Sequence, residues 1–258
     1  MRDSAPTVLD GLRPRTVLGI GESQSACRQT TYVDAVQPLV NVYDGILLES
    51  RAGPRLPGGP STRLRALPRL GGGRPAHADT YVTPVGPTDT GDIQGDIQVF
   101  DTMLDPPSTP DPTHPVITCA SPINTGQAHY VLEAAVHALN QWTTTGLAPA
   151  PRLEVNPGST PSFVLDAHGN VEGGIRTPAV DVPVATLSGL GQSGTSFCFL
   201  FGTTTPFSTA KLAALYPTHL QFVTQWARDT TCAALTGHIR PADAIALIAA
   251  ANQSTVGG

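Results

Sequence analysis

The sequence is poor in charged residues and lacks the patterns that mark several large classes of protein. Only 14% of its 258 residues are charged, and 15 basic residues stand against 20 acidic ones without a run of basic residues. This balance excludes the electrostatic footprint of a nucleic-acid-binding protein. No apolar stretch approaches the ~20 residues that span a bilayer, and residues 1–6 lack the apolar core of a signal peptide. We therefore expect no nucleic-acid partner and no membrane contact, while the cellular compartment stays unknown.

Cysteine is also scarce. Cys27, Cys119, Cys198 and Cys232 are too widely spaced for a zinc ribbon or a redox Cys-x-x-Cys pair. We expect buried thiols by default. A Cys119–Cys198 disulfide is the alternative if the protein is exported, and the sequence alone does not decide which cysteines pair. The scattered Asp and His residues form no recognisable metal set, and no Walker motif is present. We expect neither a metal nor a cofactor.

Glycine and proline are abundant instead, with 26 and 25 residues, which favours turns and short elements. The clearest regular unit lies near the start of the chain. Residues 16–20 predict a buried strand, residues 24–36 a helix, and residues 44–49 a second apolar strand. A strand, a crossover helix and a strand of this length form a βαβ unit, so the two strands should be parallel neighbours.

The rest of the chain predicts short elements. Residues 51–75, rich in Pro, Gly and Arg, predict no regular element, whereas residues 127–142 predict a helix that begins at a cap on Asn124 or Thr125 and ends at Gly146. Further expectations are an extended stretch at 180–187 and a glycine loop at 189–194 followed by strand-like residues. Two helices should finish the chain, one at 209–215 that continues after Pro217 and one at 241–251, and the last residues should fray.

The six residues at positions 21–26, Gly-Glu-Ser-Gln-Ser-Ala, lie between the first predicted strand and the first predicted helix. In a nucleophile elbow a strand turns sharply into a helix, and the serine between them exposes its hydroxyl above the sheet. The residues two before and two after that serine must be small, because the two backbones nearly touch. Gly21 and Ser25 meet this requirement around Ser23, although Ser25 replaces the more usual second glycine. A plain Gly-Glu-Ser loop is the alternative, and the flanking elements favour the elbow.

A serine that attacks an acyl carbon needs a base and preorganised N–H donors for the oxyanion. The backbone amide of Gln24 is the natural first donor. Among the seven histidines, His77 is the best-placed base, because it follows Ser23 in chain order and lies in a loop before a short strand. The glycines at 189–194 fit a dinucleotide fingerprint, but no helical pattern follows them, so a dinucleotide-dependent oxidoreductase is a minor alternative.

The acid that orients the histidine normally follows a strand between the serine and the histidine. Asp34 lies within the predicted helix and Asp44 starts a strand, whereas Glu49 ends one, at the edge where a sheet presents catalytic groups. Glu49 is therefore the candidate acid. Asp79, two residues beyond His77, is an alternative that could equally cap a turn.

Several stretches resemble bacterial alpha/beta-hydrolase-domain proteins with a Gly-Glu-Ser-Gln-Ser-Ala elbow. They cover most of the chain from residue 15 to residue 217 and include residues 18–26, 31–36, 43–45, 48–51, 76–79, 122–126, 173–178, 182–185 and 197–202. The resemblance implies hydrolysis of an ester-like bond in a small molecule, with Ser23 as nucleophile and His77 as base. Members of that family carry several strands before the elbow, and a strand and an acidic loop before the histidine. In this chain, residues 53–74 stand in place of that strand and acidic loop, and few residues precede Ser23. The resemblance therefore implies an N-terminally truncated, internally deleted chain.

The expected fold class is α/β: a partial alpha/beta-hydrolase fold with a parallel sheet flanked by helices, and a loop-rich C-terminal region that carries short strands and helices. We expect an incomplete hydrolase core at residues 1–146 and a C-terminal extension at residues 147–258 that packs on it. The expected function is serine ester hydrolysis through an acyl-enzyme on Ser23. The alternative is an inactive hydrolase fragment that binds a ligand or a partner chain, since losing one oxyanion donor alone costs on the order of 100- to 1,000-fold in rate.

Overall fold

The computed structural model describes Thr7 and residues 10–49, 64–66, 119–147, 164–194 and 198–258. The chain divides into two compact units. One comprises Met1–Leu67 and Ala135–Pro151, and the other Pro68–Ala134 and Arg152–Gly258. The predicted domain division between residues 146 and 147 stays a prediction.

The first unit contains a parallel sheet with a crossover helix. Its elements, in chain order, are β1 (Leu18–Glu22), α1 (Ser23–Ala35), the short α2 (Gln37–Val40), β2 (Gly45–Glu49) and β3 (Leu64–Ala66). The strands are parallel in the order β1-β2-β3, and Glu22 lies opposite Glu49. The predicted βαβ unit and the α/β fold class are therefore confirmed.

Strand β3 lies in the Pro/Gly/Arg-rich run for which the sequence predicts no regular element, so that prediction was wrong. Its three residues pair in parallel with Ile46, Leu47 and Leu48 of β2. A three-residue strand is too short to show an alternating pattern, and its backbone pairing depends on the neighbouring strand rather than on its own side chains.

The core of the first unit lies between the sheet and α1. Ala26 of α1 is buried against Ile46 and Leu48, and Val33 and Tyr43 pack on the same cluster. Ala26 and Val33 share one face of α1 at helical spacing, and Ile46 and Leu48 share one face of β2 at alternate positions. Leu47, on the opposite face of β2, is buried as well.

A long helix, α3 (Ala128–Thr145), begins one residue later and ends three residues later than predicted. Its predicted end at Gly146 is confirmed. Gly146 has a left-handed φ of 76°, and its N–H donates to the Trp142 carbonyl at 2.9 Å. The predicted caps bond elsewhere: the Asn124 Oδ1 accepts from the Gly126 N–H, and the Thr125 hydroxyl lies 3.3 Å from that of Thr204.

The second unit carries a two-stranded antiparallel ribbon of β4 (Ala185–Ser188) and β5 (Thr203–Pro206). The predicted extended stretch at 180–187 was wrong in its first part, because a short helix α4 (Pro178–Asp181) precedes the ribbon. Proline at the first position of this helix has a φ suited to helix and lacks only an N–H that would be unpaired there. The expected strand-like aromatic segment contains a 3₁₀ turn at Cys198–Leu200.

Three helices complete this unit: α5 (Thr209–Leu215), α6 (His219–Leu235) and α7 (Pro241–Gln253). Their apolar faces form two buried clusters, one around Tyr216 and Phe222 and one around Ile239 and Leu247, with Trp226 packed against both. The predicted helices at 209–215 and 241–251 are thus confirmed. The first was expected to continue after Pro217, but α6 is a separate helix there. Within α5, Lys211 lies over the Phe207 ring, with its Nζ 3.4 Å from the ring centroid.

The final residues of the chain do not fray as expected. The Nδ1 of His219 lies 2.9 Å from the Val256 carbonyl oxygen, and its Nε2 lies 3.2 Å from that of Asn252. The imidazole therefore joins the start of α6 to the end of α7 and the residues beyond it.

Two of the four cysteines are paired. Cys119 and Cys198 form a disulfide between Cα atoms 5.4 Å apart, so the default expectation of buried thiols was wrong for both. It was also wrong for Cys232, which is a free and exposed cysteine. The side chain of Cys27 lies outside the described residues.

Candidate active site

Ser23 is the first residue of α1 and directly follows the last residue of β1. The strand therefore passes into the helix with no intervening loop residue. Because the strands are parallel, this junction lies at the carboxyl edge of the sheet, where ligands bind in open α/β folds. The backbone amide of Gln24 is the second N–H of the helix, and the first four N–H groups of a helix have no partner within it. The side chains of Ser23 and Gln24 lie outside the described residues.

The turn between β1 and α1 leaves no room for a side chain at position 21. A Cβ built on Gly21 would lie 2.9 Å from the Ala26 Cα and 3.0 Å from the Ala26 nitrogen, and both are backbone atoms. On the other side of the serine, the Ser25 hydroxyl donates to the Glu22 carbonyl at 2.6 Å and accepts from the Glu22 N–H at 2.8 Å. Ser25 thus folds back onto the end of the strand, which explains how it stands in place of glycine.

Gln29 is a residue at this junction that the sequence did not indicate. Its Nε2 occupies the place of a side chain at Gly19, 2.2 Å from an ideal Cβ, and its Oε1 lies 2.5 Å from an ideal Cβ at Gly21. The amide of Gln29 therefore fills the space that both glycines leave. The alternation of glycine at positions 19 and 21, followed by an amide two turns along the helix, is the signal that could have indicated it.

The carboxylates near the sheet lie at different distances from Ser23. Asp44 accepts from the Val17 N–H at 2.8 Å, at the amino edge of the sheet, about 17 Å from the other edge at ~3.3 Å per strand residue. Asp34 lies eleven residues along α1 from Ser23, which is roughly 16 Å at 1.5 Å per residue. Glu49 ends β2 beside Glu22, so its backbone lies at the same edge as Ser23. Its side chain lies outside the described residues, and its role as the acid stays a prediction.

The predicted base lies outside the described residues. This holds for His77 and for Asp79, the alternative acid, so the role of each stays a prediction. What the structure brings together is the strand end, the start of α1 and the end of β2.

A separate group of charged residues lies in the second unit. The Arg176 guanidinium donates to both Asp166, at 2.9 Å, and Asp181, and also to the carbonyls of Val171 and Val180. Burial alone would raise the pKa of Asp166, but hydrogen bonds from Arg176 and from the Asn170 and His168 backbone hold that pKa below its usual value.

Asp229 of α6 lies near this group, and one of its carboxylate oxygens is buried without a hydrogen-bond partner. Burial raises the pKa of Asp229 to about 6, the negative charge of Asp181 adds to this effect, and Arg176 opposes it. On α3, burial and then the nearby Asp243 raise the pKa of Glu133. These carboxyl groups are structural features of the second unit.

Two features are absent from the described residues. No group of three or more His, Cys, Asp or Glu in them is arranged to hold a metal ion. No helix in the described part of the chain combines the length and the apolar character needed to cross a membrane.

A parallel sheet crossed by a helix, with a serine where strand meets helix at the carboxyl edge, is the core arrangement of the α/β class of hydrolase folds. The chain matches the family model described as alpha/beta hydrolase domain over residues 1–70 and 72–249, and it belongs to that family. The match covers nearly the whole chain and confirms the predicted resemblance to an alpha/beta-hydrolase family. No curated protein and no solved structure matches the chain.

Proposed function

We propose that this protein is a serine hydrolase that cleaves a carboxylic-ester-like bond in a small molecule. In this mechanism the Ser23 Oγ attacks the carbonyl carbon while His77 accepts its proton, and the oxyanion accepts a hydrogen bond from the Gln24 N–H. The intermediate collapses to an acyl-Ser23, and the leaving alkoxide takes the proton from His77. Water, deprotonated by His77, then releases the carboxylic acid, and Glu49 orients the imidazole.

One observation carries the proposal: the backbone contact between Gly21 and Ala26 on either side of Ser23. A strand and a helix approach so closely only where the chain turns sharply between them, and such a turn presents the residue at its apex. The membership of the alpha/beta hydrolase family supports a hydrolytic reaction at that apex. Together they favour Ser23 over the other serines of the chain as the nucleophile.

The test is labelling with a fluorophosphonate, which reacts with an activated serine whatever the natural substrate. We expect one adduct, mapped by mass spectrometry to the peptide that contains Ser23, and none in a Ser23→Ala variant. A Ser193→Ala variant serves as the matched control, because Ser193 is an exposed serine of the second unit, and it should label like the wild type. Folding of each variant is checked by circular dichroism.

The same probe separates the proposed roles. A His77→Ala variant should lose labelling to the level of Ser23→Ala, because no base then activates the serine, whereas Glu49→Gln should slow labelling without abolishing it. Labelling that persists in Ser23→Ala would contradict the nucleophile. A folded wild-type chain that takes up no probe would contradict the enzyme and favour the inactive binding module.

A further inference from the structure

The residues that lead into α3 belong to no regular strand. This entry segment, residues 119–127, lies against the β4–β5 ribbon and its connection. Its backbone bonds are few and dispersed: Ala120 N–H to the Ser193 carbonyl at 2.8 Å, Asn124 N–H to the Phe201 carbonyl at 3.1 Å, and Thr204 N–H to the Pro122 carbonyl at 2.9 Å. Without a continuous ladder, its position depends on additional ties.

One tie is the side chain of Gln192. Its Oε1 accepts from the Ser121 N–H at 3.1 Å, and its Nε2 donates to the carbonyls of Ser121 at 2.7 Å and Gly202 at 2.9 Å. A single amide thus pairs with the entry segment as a neighbouring strand would. These bonds form only while the segment stays within hydrogen-bond reach of residue 192.

The second tie is covalent. The disulfide joins Cys119, the first residue of the entry segment, to Cys198 in the connection of the ribbon, and the two residues are 1% and 0% exposed. The two cysteines are 79 residues apart in sequence, so the disulfide lowers the conformational entropy of the unfolded chain. Without it, the hydrogen bonds would have to overcome the full entropy cost of closing this loop. When the disulfide is reduced, the hydrogen bonds and the burial of Ile123 and Asn124 still oppose release of the segment, without a covalent restraint at its first residue.

We propose that the Cys119–Cys198 disulfide is a redox lock on the entry segment, closed in an oxidising compartment and opened by a dithiol reductant. In the opening step a thiolate of the reductant attacks one protein sulfur and the S–S bond breaks. The second reductant thiolate then resolves the mixed disulfide. The protein gains two electrons and two protons and carries two thiols, and the reductant becomes a cyclic disulfide.

Burial determines how the lock responds. A reductant cannot reach sulfur atoms of residues that are almost fully buried, so the segment must first open locally before exchange occurs. Reduction of the native chain therefore proceeds at the rate of this local opening. Since disulfides persist mainly in oxidising compartments, the lock also predicts that the protein folds outside a reducing cytoplasm.

The experiment combines peptide mapping with hydrogen exchange on the full chain, prepared under oxidising conditions and then treated with dithiothreitol. A cross-linked peptide containing Cys119 and Cys198 should appear before reduction. After reduction, amide exchange should rise at least 10-fold in the entry segment and in β5, while α6 keeps its protection. The protected α6 shows that the second unit remains folded.

Two variants complete the design. A double variant, Cys119→Ala with Cys198→Ala, should show the faster exchange without reductant and no further response to it. A Cys232→Ala variant, which removes the exposed free cysteine, should respond like the wild type. Absence of the cross-linked peptide, unchanged exchange on reduction, or simultaneous loss of protection in α6 would each overturn the local lock. The proposal does not depend on Ser23 chemistry.

Discussion

Gly21 and Ala26 approach so closely that a methyl group on Gly21 would lie 2.9 Å from the Ala26 Cα. The contact joins the strand before Ser23 to the helix that Ser23 begins, and backbone atoms on both sides leave little freedom for adjustment. The requirement for glycine here is therefore steric. Gly19 differs, because the three atoms nearest to an ideal Cβ there all belong to side chains, those of Gln29 and Tyr43, which can move.

A Gly21→Ala variant should lower the free energy of unfolding of the first unit by about 1–3 kcal/mol, the usual cost of forcing an extra methyl group into a packed site. Probe labelling of Ser23 should fall with it. A Gly19→Ala variant should also be destabilised, but the further change Gln29→Ala should restore it, because the clash there is with a side chain. Urea denaturation measures both variants.

The informative comparison adds the Gln29→Ala change to the Gly21→Ala variant. Gln29→Ala should not rescue Gly21→Ala, since the Ala26 backbone remains in place. A full rescue would show that the side chain of Gln29, and not the helix backbone, requires glycine at position 21.

Asp229 should make the second unit less stable as the pH rises from about 4 to about 6. Its folded-state pKa of about 6 lies above the ordinary aspartate value, mainly because of burial, so the folded chain holds a proton that the unfolded chain has already lost. The contribution of Asp229 to the free energy of unfolding is greatest below the aspartate pKa of the unfolded chain. It falls between about pH 4 and about pH 6 and is constant above that interval.

An Asp229→Asn variant should therefore match the wild type near pH 4 and exceed it at pH 7.5, by on the order of 1 kcal/mol after allowance for solvent screening. Thermal melts across this range measure the difference. Gln225→Asn, at an exposed position of the same helix, is the control that should keep the wild-type profile. Equal stabilities of Asp229→Asn and wild type at pH 7.5 would contradict the assignment.

Asn170 should be one of the most sensitive polar positions of the second unit. It is fully buried, its Oδ1 accepts from the Leu187 N–H at 2.7 Å, and its Nδ2 donates to the Ala185 carbonyl at 3.3 Å. Asn170→Ala leaves two buried backbone groups of β4 unpaired and should cost about 2–4 kcal/mol of stability.

Asn252→Ala is the matched control for Asn170, because Asn252 is exposed on α7 and its amide bonds only within its own helix. Urea denaturation should show a shift of less than about 0.5 kcal/mol for this control. Similar losses in the two variants would argue that burial of the Asn170 amide is not what matters.

His219 should hold the residues that follow α7. Its two ring nitrogens lie near the Val256 and Asn252 carbonyl oxygens, so His219→Ala removes both contacts. We expect faster amide exchange after residue 253 and a loss of about 1 kcal/mol in stability, the net value of a typical hydrogen bond. His238→Ala is the comparison, since that histidine contacts the Thr236 hydroxyl instead and should leave the last residues protected.

The sequence predicted those parts of the fold that depend on local patterns. Residues 24–36 and 241–251 show apolar side chains at helical spacing, and both became helices within two residues of the predicted ends. The parallel pairing of β1 and β2 followed from the length of the crossover. The pattern at the serine also predicted the strand-to-helix junction.

Features that depend on distant contacts could not be predicted in this way. Strand β3 exists through pairing with β2, and the Cys119–Cys198 bond joins residues 79 positions apart. Gln29 fills a space between glycines that becomes visible only when the helix lies on the strand. At the candidate site the sequence indicated Ser23 and its neighbours, whereas His77 and Glu49 rest on chain order and position at a sheet edge.

Lys211, which lies over Phe207, is the single lysine in the sequence. Amine-selective reagents therefore have one lysine side chain to modify in this sequence. Acylation would remove the positive charge above the aromatic ring and change the environment of Phe207. The chain thus offers a unique site for a dye or a surface linker, on the second unit and separate in sequence from Ser23.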